Sequence, residues 1–352
     1  MRDWEAAWRG ALYGPGGFFR RGEVPAGHFR TAPLVGPELA EALLVLLDRV
    51  DRLLGRPARL DFVDVGAGGG ELSAAVRRLA TGPLGRRLHV TAVDLGPARR
   101  LPGVRWTDTL PARVEGLLVG HEWLDAIPCP LVTGPHDDPW LARWWPVREG
   151  WRAEVGAPRD AAWADAVGRV RGAALAIDYG HLRADRAAGR YRSGTFAAYR
   201  GGRQVEPVFD GSCDLTAHVA LDACAEAAGG DHVLVSQRDA LAALGLTGAG
   251  PGGVVGLGGI VGPGGVVGPG GVVGPDGVVG PDGVGGIGGP DGVGGPLGVR
   301  RGGGMAWLES AARASRVAEL RAVGGLGSFG WLLHGVDIPV SELLPPLPPW
   351  HP

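Results

Sequence analysis

The chain has 352 residues, with 35 basic and 37 acidic side chains and a formal net charge of −2. That balance gives no bulk electrostatic case for a nucleic-acid partner, and the length suffices for a large core in one domain with insertions or in two domains. All the cationic side chains are arginine, with lysine and asparagine absent, which reads as a GC-rich coding bias and removes weight from Arg clusters.

Cys129, Cys213 and Cys224 stand at unrelated spacings, so neither a disulfide framework nor a zinc pattern is predicted. They read as buried thiols of a cytoplasmic protein, with no bound metal expected. Residues 1–21 lack the apolar core of a secretory signal. No run of about 18 apolar residues predicts a membrane span. The nearest approach, Leu39 to Leu54, carries Glu41, Asp48, Arg49, Asp51 and Arg52.

In chain order, Leu39, Leu43, Leu46, Leu47, Val50, Leu53 and Leu54 recur at helical spacing and predict an amphipathic helix ending near Gly55 and Pro57. Leu60 to Val65 reads as a first strand. It runs into Asp64-Val65-Gly66-Ala67-Gly68-Gly69-Gly70 and then a helix over Glu71 to Ala80. Glycines in that turn let the backbone approach a ligand, and the N–H groups of the helix start face it. The dinucleotide pattern would need glycine or alanine at position 71, where Glu71 stands. An acid just before the loop suits a ligand bearing positive charge, and S-adenosylmethionine (SAM), with its ammonium and sulfonium, fits.

Further strands are predicted over Leu88 to Asp94, Val104 to Thr107, Gly116 to Gly120 and Ala173 to Asp178. Strands alternating with helices predict an α/β fold with a mostly parallel sheet covered on both faces. Asp214 is expected to cap a helix running to Ala228. His232 to Val235 and Ser328 to Val336 are late strands, read as an antiparallel edge pair. Helices are expected from Ser236 and over Met305 to Val323.

From Gly250 to Gly298 every third residue is glycine. Without proline at the third positions and with few ion pairs, this reads as a low-complexity insert rather than a collagen triple helix.

Four groups of side chains can carry chemistry. Asp94, at the end of the second strand, can accept from the hydroxyls of a ribose, and Asp108 from an adenine amino group. Glu122 and Asp125 follow the fourth strand three residues apart, on one face if that turn is helical. Paired carboxylates there suit a guanidinium, which is planar, always charged and offers forked donors. Asp178 and Tyr179 end the fifth strand. Asp214 and His218, four apart on the expected helix, are further substrate-side candidates.

Together these segments resemble the MidA family of SAM-dependent methyltransferases. The resemblance is carried by Tyr13-Gly14, Phe29-Arg30-Thr31-Ala32-Pro33, the Gly66–Gly70 loop, Gly120-His121-Glu122-Trp123-Leu124-Asp125-Ala126-Ile127-Pro128, Ile177-Asp178-Tyr179-Gly180 and Asp214-Leu215-Thr216-Ala217-His218-Val219. It implies a class I, Rossmann-like methyltransferase fold with SAM as cofactor. It places Thr31, the loop with Gly66, Gly68 and Gly70, and Asp94 at the cofactor, where the residues themselves also put Asp64 and Asp108, and it places Glu122 and Asp125, the expected catalytic residues, near the methyl group. It also implies a protein arginine as methyl acceptor.

The expected organisation is an N-terminal helical extension over 1–58 and a core over 59–245 with substrate-side insertions near 130–160 and 181–213. The glycine-rich insert follows over 246–303, then a returning helix and strand over 304–338 and a proline-rich tail over 339–352. Three rival readings stand beside it: a small-molecule methyltransferase, a SAM-binding assembly factor with little turnover, and a structural protein built on the glycine repeat. Neither a nucleic-acid nor a membrane partner is expected, and the oligomeric state is left open.

Overall fold

The computed structural model describes residues 4–23, 31–247 and 302–352. The glycine repeat over 250–298 and the Phe29-Arg30 part of the N-terminal motif lie outside the described residues. Residues 1–248 and 313–352 form one compact unit, and the second unit spans 249–312. Among the described residues no helix is long and apolar enough to cross a membrane.

In chain order the strands are β1 (Leu60–Val65), β2 (Leu88–Val93), β3 (Val104–Thr107), β4 (Val114–His121), β5 (Leu131–Thr133), β6 (Arg152–Glu154), β7 (Val170–Asp178), β8 (Gly180–His181), β9 (Ala197–Arg200), β10 (Arg203–Val205), β11 (Asp214–Thr216), β12 (Val219–Ala220), β13 (Asp231–Ser236) and β14 (Gly330–Val336). Seven build the main sheet in the order β13-β14-β7-β4-β1-β2-β3. The pairings of β7, β4, β1, β2 and β3 are parallel, while β14 runs antiparallel to both β7 and β13. The antiparallel edge expected from the two late strands is therefore present. The fold is of class I, Rossmann-like type.

Period-two alternation explains why the sheet is covered on both faces. Leu60 and Phe62 of β1, Leu117 and Val119 of β4, and Leu175 and Ile177 of β7 enter one core with Leu39, Leu43, Leu46, Leu47 and Val50 of the helix Glu38–Leu53. Val63 and Val65, Val114 and Leu118, and Ala174 and Ala176 enter the other, with Trp163 of the helix Ala157–Val167 and Cys224 of the helix Leu221–Ala228. Each large apolar side chain so buried contributes about 1.5–3 kcal/mol. A third cluster forms where Trp8 and Leu12 of the helix Trp4–Tyr13 pack against Ala198, Cys213 and Leu215, beside the small sheet β10-β9-β11.

One expectation fails here. Asp214 does not cap a helix: residues 214–216 form β11, paired antiparallel with β9 from Asp214↔Tyr199 to Thr216↔Ala197. The helix begins only at Leu221. Asp214 and His218 consequently do not share a helical face. Pairing with a strand distant in sequence outweighs the local capping signal.

The segment that returns after residue 301 is tied back by polar groups. The buried carboxylate of Glu38 accepts from Arg316 Nε at 2.9 Å. Gln237, fully buried, donates to the carbonyls of Leu320 (3.0 Å) and Leu326 (2.9 Å) and accepts from Trp331 Nε1 (3.2 Å). Gln237→Leu would remove three hydrogen bonds and leave the Leu320 carbonyl and the Trp331 N–H without these partners. It is expected to destabilise the protein by about 2–4 kcal/mol, read as a lowered urea midpoint by circular dichroism.

Candidate functional site

The order of the sheet reverses between β1 and β4. From β1 the chain moves out to β2 and β3 on one side, then returns to β4 and β7 on the other. In open α/β sheets the crevice beyond the carboxyl ends at such a reversal is the ligand site. A cavity of about 630 Å³ lies there.

Its floor is the glycine turn. Gly66 and Ala67 donate to the carbonyl of Val93 at 2.9 and 3.1 Å, stitching the turn to β2. The Gly68 N–H donates to Asp94 Oδ2 at 2.8 Å and the Gly96 N–H to Asp94 Oδ1 at 2.6 Å. Asp94 thus braces the turn that it faces, while still lining the cavity. Asp64 accepts from Ser73 Oγ at 2.7 Å, locking β1 to the first turn of the helix Glu71–Leu79.

Thr31, Asp64, Gly66, Gly68, Asp94 and Asp108 all line the cavity. Gly70 does not. It has φ +81, and a Cβ there would fall 2.4 Å from Leu101 Cδ1 and 3.1 Å from the Trp106 ring. Its role is to start the helix in a left-handed conformation against packed neighbours.

A second stretch of lining follows β4, the neighbour of β1 in the sheet. Glu122 has φ +49, rare for a side-chain-bearing residue, and its N–H donates to the Ile177 carbonyl at 2.9 Å. The turn is not helical, yet Glu122 and Asp125 both line the cavity. Asp178 lies outside it. Its carboxylate is fully buried and accepts from the main-chain N–H groups of Leu124 (3.1 Å), Asp125 (3.3 Å) and Tyr179 (3.0 Å), so Asp178 shapes the turn rather than meeting a ligand. The Tyr179 hydroxyl donates to Asp125 Oδ2, which also accepts from Thr216 Oγ1 at 2.7 Å. Asp214 and His218 line the cavity from β11 and the link after it, His218 with its ring 5.2 Å from that of Tyr179.

Sequence reading assigned no site role to several lining residues. They include Tyr13, whose hydroxyl donates to the Ala126 carbonyl at 3.0 Å, and Phe19, Trp123, Tyr199, Thr216 and Phe329. Tyr13 stood in the family motif without a function. Trp123 and Thr216 likewise stood in quoted motifs without a role, and Phe19, Tyr199 and Phe329 come from segments with no local signature.

Seven lining residues are acidic: Asp64, Glu71, Asp94, Asp108, Glu122, Asp125 and Asp214. Among the described residues no arginine lines the cavity. Burial raises the Asp64 carboxyl to about 7 against the donated Ser73 hydrogen bond, with Asp94 and Glu71 adding to the rise. Burial, then Asp125 and Asp214, raise Glu122 well above the usual carboxyl range. Burial and Asp125 do the same to Asp214. His121 Nε2 lies 3.6 Å from Glu122 Oε1, but burial lowers this imidazole to about 4, so it is neutral and offers no counter-charge.

Glu122 Oε1, Asp125 Oδ1 and Asp214 Oδ1 are buried acceptors without a hydrogen-bond partner. Such a set is matched to a ligand with positive charge and several donors. The ammonium, sulfonium and ribose of SAM fit the residues present, with the glycine turn and Asp94 at the nucleoside end.

The fold and the position of the cleft are those of class I methyltransferases. Residues 145–238 match a family described as "Putative S-adenosyl-L-methionine-dependent methyltransferase". That segment holds Asp178, Tyr179, Asp214 and His218, and the match agrees with the MidA resemblance. Two crystal structures of COG1565 superfamily members from Burkholderia thailandensis share the fold at TM-score 0.65 and 21% identity. One, bound to S-adenosyl-homocysteine, covers 96% of this chain and 88% of its own; the other covers 98% and 90%. No curated protein matches the chain.

The raised Asp64 carboxyl has a measurable consequence. In the folded protein it keeps its proton to higher pH than in the unfolded chain. Its contribution to stability is therefore full below the unfolded carboxyl value and lost as pH rises through about 7. The stability of the protein relative to Asp64→Asn is expected to fall by about 2 kcal/mol between about pH 5 and pH 8, by urea unfolding at each pH. Buried neutral histidines act with the opposite sign and cancel in this comparison.

Proposed function

We propose that this chain is a SAM-dependent methyltransferase whose acceptor is a cationic nitrogen, the guanidinium of a protein arginine. The observation that carries the reading is the acidic cleft itself. Glu122, Asp125 and Asp214, each with one buried carboxylate oxygen that has no partner, line it together, and among the described residues no arginine does. They share the cavity with the glycine turn and Asp94.

Each residue then has a role. Gly66, Gly68 and the first turn of the helix Glu71–Leu79 receive the nucleoside, with Asp94 facing the ribose and Asp108 and Thr31 at its flanks. When bound, SAM supplies an electrophilic methyl group and a neutral thioether leaving group. Glu122 and Asp125 hold the guanidinium by forked hydrogen bonds and orient one nitrogen toward the methyl, which makes the reaction largely a positioning problem.

The new N–C bond forms as the C–S bond breaks, and the nitrogen must shed a proton. A carboxylate made more basic by burial is suited to take it, which assigns that step to Glu122, with Asp214 sharing the remaining positive charge. Tyr13, Tyr179 and Tyr199 supply aromatic surface around a cation.

Calorimetry with S-adenosylhomocysteine is expected to give binding, and Asp94→Ala to weaken it at least about tenfold through loss of the braced turn. With methyl-labelled SAM and a cell lysate, label is expected on protein arginine, located by mass spectrometry. Glu122→Gln should lower that transfer about 100-fold or more while leaving S-adenosylhomocysteine affinity nearly unchanged. Binding without any labelled product would favour the assembly factor, and label on small molecules alone would favour that acceptor class. Intact transfer by Glu122→Gln would remove Glu122 from the chemistry.

A further inference from the structure

Arg159 is the least expected side chain near the site. Only 2% of it is exposed, and among the described residues it meets no carboxylate within ion-pair distance. Its guanidinium instead donates to four main-chain carbonyls: Asp125 at 2.7 Å, Ile127 at 3.1 Å, Ala217 at 2.9 Å and His218 at 2.8 Å. It sits 5.7 Å from the Trp8 ring centroid, which closes one side of its berth.

Its position is also unfavourable for the helix that carries it. Arg159 lies in the first turn of Ala157–Val167, where the helix dipole disfavours a cation. Burial works against its charge, and Cys129, Asp125, Asp178 and Glu154 more than restore it. Neither helix stability nor an ion pair accounts for a buried guanidinium here.

The carbonyls it gathers belong to two segments far apart in sequence. One is the turn after β4, which carries Asp125. The other joins β11 to β12 and is flanked by Thr216 and His218. These two segments form adjoining parts of the cavity wall, and Thr216 donates to Asp125 across their junction.

We infer that Arg159 is a positioning residue for the methyl acceptor: by clamping both segments it fixes Asp125 and Asp214 at the separation that a cationic acceptor requires. The inference rests on the acceptor assignment made above, but the clamp can be tested separately. Arg159 does not line the cavity, and none of the four carbonyls it binds belongs to the glycine turn or to Asp94. A clamp of this kind therefore acts on the acceptor and spares the cofactor.

The test compares the protein with Arg159→Met and Arg159→Lys. Lysine keeps the charge, but its compact ammonium has three donors and cannot span four carbonyls. Two affinities are measured by calorimetry: S-adenosylhomocysteine alone, and Nα-acetyl-L-arginine amide in its presence. Hydrogen exchange is followed at residues 124–127 and 216–219.

Arg159→Met is expected to lose the arginine probe about tenfold or more while binding S-adenosylhomocysteine within about twofold, with exchange accelerated at both segments. Arg159→Lys should recover only part of each effect. Equal losses for the two ligands would mean a merely structural residue and overturn the inference, as would full restoration by lysine. Unchanged probe affinity in Arg159→Met would also overturn it. If Arg159→Met does not fold, the comparison with Arg159→Lys carries the same outcomes. If the unmutated protein binds S-adenosylhomocysteine and ignores the arginine probe, the arginine acceptor falls. Exchange then decides the clamp: acceleration at both segments upholds it, and no change at either overturns it.

Discussion

Carboxylates gathered at the carboxyl ends of parallel strands repel one another and resist leaving water. The cleft exists because other parts of the chain hold them in place. Asp94 accepts two main-chain N–H groups, Asp178 accepts three, and Asp125 accepts a phenol and a threonine hydroxyl. Glu122, Asp125 and Asp214 each keep one buried oxygen without a partner, and all three residues line the cavity. The acidic wall is thus a reservoir of unmet electrostatic demand, and a cationic ligand is the physical group that meets it.

Position and charge in this cleft have separate origins. Position follows from the sheet. The reversal of strand order between β1 and β4 opens a crevice that no side chain of the parallel layer can fill, and the glycine turn keeps its floor low. Charge follows from Asp64 of β1, from the links after β1, β2, β3 and β4, and from Asp214 of β11, which bring their acids to that crevice. The small sheet β10-β9-β11 and the helix Trp4–Tyr13 add Tyr199, Asp214, Thr216 and Tyr13 to its lining. The same class of fold can therefore keep its nucleoside end while the acceptor end varies with these added layers.

The parallel strands were legible because alternation is local. Leu60 and Phe62 face one way and Val63 and Val65 the other, whatever the rest of the chain does. The glycine turn and Asp94 were legible for the same reason, since strand, turn and strand end are contiguous. Asp214 was misread because its neighbours suit a helix start, and only β9, remote in sequence, supplies the partner that makes β11. Asp178 was placed on the ligand side because it ends a strand, yet its oxygens turn to the backbone of a loop more than fifty residues earlier.

By itself the sequence determined the layered α/β core, the antiparallel edge and the glycine turn after β1, since each rests on side-chain periodicity or on backbone freedom within a few residues. Tertiary structure alone decided which acids share one cavity, that Tyr13, Tyr199 and Phe329 meet there, and that Arg159 clamps two of its walls. Those are contacts between segments up to hundreds of residues apart. A guanidinium that binds only main-chain carbonyls leaves no complementary side chain in the sequence to betray it.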